Sequence, residues 1–201
     1  MEGFAIWLTG LPCAGKSTVA AIVAEQLRER GCPVELLDAE EVRARLSPGL
    51  GFSREDRETN IQRLAYLSKL LTRHGVIAVV AAISPYRAMR DGARAELGRF
   101  VEVFVKAPVE VCIARDVKGL YRKALAGEIR QFTGVSDPYE EPLHPEVVLE
   151  TDKEPPLEAA RRLIARLEEL ELLTTGGVGS VYSAEEEEAI KRRLGALGYL
   201  D

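Results

Sequence analysis

The sequence predicts an α/β fold in three layers: a mostly parallel sheet, helices on both of its faces, and a lid over one edge. Three observations carry this. Short apolar runs alternate with amphipathic helical stretches, and that order builds parallel sheets. A glycine-rich turn links the first apolar run to the first helix. One long connection, rich in Gly, Pro, Lys and Arg, interrupts the rhythm between about residues 116 and 145. A connection of that length inside a compact domain is usually functional.

The elements follow in order. "FAIWLTG" is an apolar run closed by glycine and reads as a buried strand. From Lys16 to Arg30, Val19, Ile22, Val23 and Leu27 fall at helical spacing, and Gly31 with Pro33 stops the helix. "VELLD" is the second strand. "SREDRETNIQRLAYLSKLLTRHG" is a helix with Ser53 as cap, Asp56 completing a capping box, and a stripe of Ile61, Leu64, Leu67, Leu70 and Leu71. "VIAVVAAIS" is apolar throughout, as a strand covered on both faces should be. "FVEVFVKA" and "PEVVLE" supply two more strands, and "PLEAARRLIARLEELEL" an amphipathic helix that packs on the sheet. Beyond residue 172, "TTGGVGS" reads as a linker and "SAEEEEAIKRRLGALGYLD" as a short capped helix with Ile190, Leu194 and Leu197 on one side. The domain expectation is thus 1–172 for the main body and 173–201 for a linker with a helical extension.

Composition narrows the classes. The chain has 201 residues, 46% hydrophobic, and suits one domain with a real core. A net charge of −5 argues against wrapping nucleic acid, while leaving room for a local basic pocket. Three cysteines without a CxxC pair fit reduced thiols and a cytoplasmic location. No run is long and apolar enough to span a bilayer, so no membrane partner is expected. The first residues lead straight into a strand, which leaves no room for a signal peptide. His74, at a helix end, and His144 form no metal or triad pattern.

The turn reads Gly10-Leu11-Pro12-Cys13-Ala14-Gly15-Lys16-Ser17-Thr18 and matches the GxxxxGK[ST] phosphate-binding pattern between a strand and a helix. Glycines let backbone amides turn onto phosphates, and the helix start adds the positive end of its dipole. Lys16 supplies a charge to the β and γ oxygens, and Ser17 a hydroxyl to Mg²⁺. The expected fold is therefore of the P-loop NTPase type, and the expected cofactor is ATP with Mg²⁺. For Cys13 the plain reading, a small residue at a permissive loop position, is preferred to a redox-sensitive thiol. "VIAVVAAIS" ends without an acid and no NKxD guanine reader occurs, which weakens switch-GTPase and motor readings. The nearest acid is Asp38, closing the second strand at the sheet edge where ligands bind.

Several stretches together resemble the adenylylsulfate kinase (APS kinase) family: "GLPCAGKST", "GFSREDRETNIQR", "ISPYRAMR", "KGLYRKALAGEIRQFTG" and "DPYEEP", in the family's order over about residues 3 to 170. The resemblance implies transfer of the ATP γ-phosphate to the 3′-hydroxyl of adenosine 5′-phosphosulfate in sulfate activation. It implies that Phe52 and Phe132 sandwich the substrate adenine, against a plain reading as core phenylalanines. Arg43 and Arg57 look like the arginines that hold the phosphosulfate, against a surface salt bridge. Asn60, three residues beyond Arg57, shares its helix face and resembles the family's pocket asparagine. Ile83, Ser84 and Pro85 resemble a backbone contact loop. Leu120, Thr133 and Gly134 fall in the lid's substrate stretches. Lys118 and Lys123 are lid cations placed to cover the transferring phosphate, and Arg115 resembles a residue beside the ATP adenine. The family also implies a homodimer and a functional link to ATP sulfurylase.

One stretch departs from the family. Its Asp-Gly-Asp is here Asp38-Ala39-Glu40, followed by Glu41, Val42 and Arg43. One extra methylene moves the second carboxylate by about 1.5 Å, and a misplacement near 1 Å can cost about a hundredfold in rate. Three readings of the base stand: Asp38 alone, Glu40 after adjustment, or both sharing metal and proton work. Asp38 as base and metal-side carboxylate, with Glu40 supporting, is favoured. Two competing functions stand beside the first. One is a kinase of the same fold with another nucleotide or small-molecule hydroxyl as acceptor, motivated by the Ala39-Glu40 departure. The other is a non-catalytic nucleotide-binding partner of a sulfurylase, opposed by Lys16, Ser17 and Asp38.

Overall fold

The structure is a computed structural model and describes residues 2–173. The expected linker and terminal helix lie outside the described residues. Five strands pair in the order β2-β3-β1-β4-β5: β1 (Ala5–Thr9), β2 (Val34–Asp38), β3 (Ile77–Ala81), β4 (Phe100–Lys106) and β5 (Val147–Glu150). Every pairing is parallel. The central strands are buried along their whole length, as their unbroken apolar sequences require.

Two helical layers cover the sheet. On one face α1 (Lys16–Glu29) lies beside α7 (Pro156–Glu169), where Val19, Val23, Leu27, Leu163 and Leu167 meet Ile6, Leu8, Val79 and Val103 in one core. On the other, α3 (Arg54–Thr72) lies beside α4 (Arg87–Leu97), where Ile61, Leu64 and Met89 close over Trp7, Val80 and Phe100. Ser53 caps α3 as expected, its hydroxyl accepting from Asp56 N at 3.1 Å. The Asp56 carboxylate, however, reaches Gly51 N at 2.9 Å. It therefore fastens the incoming loop that carries Phe52.

Four helices were not legible: α2 (Ala39–Leu46), α4, α5 (Val109–Arg115) and α6 (Leu120–Leu125). α2 buries no residue and so carries no apolar period. α4 buries Met89, Arg90 and Ala93, and a buried arginine breaks the apolar pattern that periodicity detects. α5 and α6 have 7 and 6 residues, too short to show a period. The expected lid segment thus contains α6, and then an irregular stretch that runs back toward β5. Among the described residues no helix is long and apolar enough to cross a membrane.

Candidate functional site

The site lies along the C-terminal edge of the parallel sheet, where the turn after β1, the end of β2 and the loop after β3 converge. The turn is shaped by its glycines. A side chain at Gly10 would run into the Val105 carbonyl, and Gly15 sits at φ 98°. Cys13 is also left-handed, at φ 59°, without being glycine. Lys16 folds back over the turn and donates to the carbonyls of Gly10 and Leu11 at 3.0 and 2.7 Å. Burial lowers its pKa to about 8, with nearby Cys112, Cys13 and Asp38 acting in the opposite direction.

Ser17 opens α1 and Asp38 closes β2, and the two meet: Ser17 Oγ donates to Asp38 Oδ2 at 2.6 Å. The other carboxylate oxygen accepts from Glu40 N at 2.9 Å and caps α2. Two hard oxygen donors beside a phosphate cradle fit Mg²⁺, which takes one or two protein oxygens and completes its shell with phosphates and water. Among the described residues no group of three or more His, Cys, Asp or Glu side chains is placed to cage a metal. Glu40, which lines the same cavity, receives the Lys118 ammonium on both oxygens at 2.6 Å. That hydrogen bond raises the Lys118 pKa.

A cavity of about 1300 Å³ joins this phosphate end to a second, more aromatic end. Phe52, half exposed, stands on one wall, and Phe132, buried, on another. Phe132 also packs edge-on against Tyr121 with ring centroids 5.0 Å apart, so it belongs to the core and to the cavity at once. Arg43 lies over the Phe52 ring, 4.5 Å from its centroid, and donates to the Leu50 carbonyl at 2.8 Å and to that of Gly51. Arg57 is buried. It donates to the Phe52 carbonyl at 3.0 Å and across to the lid at Gln131 O, 2.8 Å. Burial lowers its pKa, with Asp137 nearby working against that. Asn60 Oδ1 and Thr133 Oγ1 are the two buried side-chain polar atoms without a partner among the described residues, and both residues line this cavity. Ile83, Ser84 and Pro85 form its floor, and Leu120 and Lys118 its lid side.

The expected residues therefore gather with three kinds of exception. Gly10, Leu11 and Ala14 lie behind the cavity lining and act through their carbonyls. Gly134 belongs to a separate shallow depression with Leu11 and Asp137. Lys123 is exposed and does not line the cavity, because it sits on the outer side of α6. Arg115 does line it, held by the Thr151 carbonyl at 2.6 Å. Thr151 was missed: its hydroxyl donates to the Ala14 carbonyl at 2.7 Å and braces the turn. Its position just past a predicted strand, at the ligand-binding edge, was the available signal. Thr9 gave no sequence signal, and Asp137 and Tyr139, which fasten the lid's return limb with it, fall in the "DPYEEP" stretch without an assigned role.

Comparison with known proteins points to one family. The family model for adenylylsulphate kinase matches residues 2–150. An adenylyl-sulfate kinase of Rippkaea orientalis is 55% identical over 169 residues, which is 84% of this chain and 93% of that protein. A Sorangium cellulosum protein named "Probable bifunctional SAT/APS kinase 2" is 56% identical over 170 residues, 85% of this chain but 29% of that longer protein. Among solved structures, the Mycobacterium tuberculosis APS kinase CysC in complex with AMPPNP and APS is similar with TM-score 0.79 and 41% identity, over 83% of this chain and 98% of that one.

Proposed function

This chain belongs to the adenylylsulphate kinase family, and we infer that it is an ATP-dependent kinase moving the γ-phosphoryl group to the 3′-hydroxyl of adenosine 5′-phosphosulfate. The product is 3′-phosphoadenosine 5′-phosphosulfate. The observation that carries the reading is one continuous cavity, with the Lys16, Ser17 and Asp38 phosphate end and the Phe52, Arg57, Asn60 and Phe132 end facing each other across it.

Phosphoryl transfer asks the protein for position and charge neutralisation rather than covalent chemistry. Backbone amides of Cys13, Gly15, Lys16, Ser17 and Thr18, which line the cavity, cradle the phosphates, and Lys16 offsets charge that develops on the β and γ oxygens. Ser17 Oγ and Asp38 would hold Mg²⁺, which supplies further charge neutralisation when bound. Phe52 and Phe132 stack the acceptor's adenine. Arg43 and Arg57 fork onto its anionic tail, while Asn60 and Thr133 offer it their unpartnered polar atoms. Asp38 accepts or orients the proton of the attacking hydroxyl. Glu40, engaged by Lys118, supports the lid rather than the proton. Arg115 lies on the ATP side with Thr151.

Incubation with ATP and Mg²⁺ and a panel of acceptors tests the reading, with adenosine 5′-phosphosulfate turned over in preference to AMP, ADP and sugar acceptors. Preference for another nucleotide or hydroxyl overturns it. The same proposal extends to assembly and place. A cytoplasmic homodimer that receives its acceptor from an ATP sulfurylase is the expectation, and the fused relative supports the sulfurylase link alone. Light scattering after size exclusion checks the dimer.

A further inference from the structure

Arg90 is among the largest fully buried side chains, 2% exposed, and no step above uses it. It projects from α4 and donates in three directions. Nε reaches Glu102 Oε1 on β4 at 2.7 Å, Nη1 the Ser84 carbonyl at 2.6 Å, and Nη2 the Glu140 carbonyl at 2.7 Å. One cation thus ties a core strand to the cavity floor and to the returning limb of the lid. Its charge is balanced: Glu102 lies 3.6 Å from Arg94, and Arg94 grips both oxygens of Glu146 at 2.7 and 2.8 Å.

Ser84 is where this bond has most leverage. It is a non-glycine residue at φ 38°, a conformation that persists only where the surroundings over-determine it. Those surroundings are visible. Trp7 Nε1 donates to Ser84 Oγ at 3.1 Å, and Ser84 Oγ donates to Thr9 Oγ1 at 3.1 Å. Thr9 Oγ1 also donates to the Ile83 carbonyl at 2.7 Å and meets Tyr139 Oη at 3.0 Å. The Pro85 carbonyl accepts from Glu140 N at 2.8 Å. Segments 83–87 and 139–141 are therefore fastened as one body, with the Arg90 guanidinium beneath both.

We propose that Arg90 is a positioning residue for the phosphoryl acceptor. It holds the Ile83–Pro85 backbone in its left-handed turn at the acceptor end of the cavity, and couples that floor to the lid's return limb. This rests on the acceptor-site reading above. A role confined to general stability would affect both substrates alike; a role at the floor separates them, because Arg90 touches nothing of the phosphate cradle.

The test is steady-state kinetics of the full chain carrying Arg90→Lys or Glu102→Gln, with KM for acceptor and for ATP measured separately beside the melting temperature. Lysine keeps the charge but offers one ammonium to three acceptors in different directions. Arg90→Lys is expected to raise the acceptor KM about tenfold or more, given the rate cost of small misplacements, and to leave that of ATP within about twofold. Glu102→Gln shifts the same constant less. Equal shifts in both constants or an unmoved acceptor KM overturns the proposal. If Arg90→Lys does not fold, Glu102→Gln decides alone. A chain that prefers another acceptor overturns the functional reading and not this one, because the split is then measured with that acceptor.

Discussion

Asp38 and Glu40 stand two residues apart and meet different partners, and that divides their work. Asp38 is held by Ser17 on one oxygen and by the α2 backbone on the other, so its position is fixed at the phosphate end. Glu40 is engaged by Lys118 on both oxygens. Asp38→Asn is expected to lower kcat by about a hundredfold or more while ATP affinity changes far less, as removal of a general base does; near-normal turnover removes Asp38 from the role. Glu40→Gln, which breaks an exposed ion pair, should change stability by less than about 1 kcal/mol and act mainly on lid closure. Lys16 makes a second prediction at this scale. Its pKa in the free protein is about 8, and phosphates favour the charged form. Above pH 8 binding must therefore take up a proton, and ATP affinity should fall by up to about tenfold per pH unit. Calorimetry in buffers of different ionisation enthalpy checks both the slope and the proton. Residue identities at this end were legible because the phosphate pattern is a local, contiguous signal. The Glu40–Lys118 pairing was not, since 78 residues separate the partners.

Elements were legible in proportion to their apolar period. All five strands and helices α1, α3 and α7 showed in the sequence; α2, α4, α5 and α6 did not. α4 is the instructive case, because the residue that makes it matter, Arg90, is the one that breaks its pattern. α3 carries its own test. Ser53→Ala removes the bond to Asp56 N and should cost about 1 kcal/mol of stability, measured by denaturant unfolding. The same change loosens the entry loop bearing Phe52, so acceptor KM should rise with it. A purely thermodynamic loss, with KM unmoved, would show that the Asp56–Gly51 bond alone sets that loop.

Over the whole molecule, the layered α/β architecture followed from the alternation of strands and helices, while the fastening between its far parts did not. Arg94, Glu102 and Glu146 join α4, β4 and the approach to β5, and nothing local in the sequence marks them as partners. Burial works against the Glu146 charge, but hydrogen bonds from Arg94 and from Glu102 N outweigh it and hold its carboxyl below the ordinary value of 4.5. With the folded pKa below the unfolded one, the unfolded chain binds more protons as pH falls. The stabilisation is thus present above about pH 4.5 and lost below it. Melting temperatures followed downward from pH 6 should drop less steeply in Glu146→Gln than in the unaltered chain. We also propose that residues 1–172 form the whole kinase domain, with its lid at about 116–145. A chain ending at residue 173 should then keep kcat within about twofold.

Asn60 Oδ1 and Thr133 Oγ1 are withheld from water and from each other, one on α3 and one in the lid. An acceptor that satisfies both becomes a cross-link between two parts of the chain joined by few other polar bonds. Its binding should therefore slow amide hydrogen exchange around residues 131–137 and resist protease there. ATP alone, held at the opposite end, should leave that segment's exchange nearly as it was. In this molecule, selectivity for the acceptor and rigidity of the lid are a single quantity measured two ways.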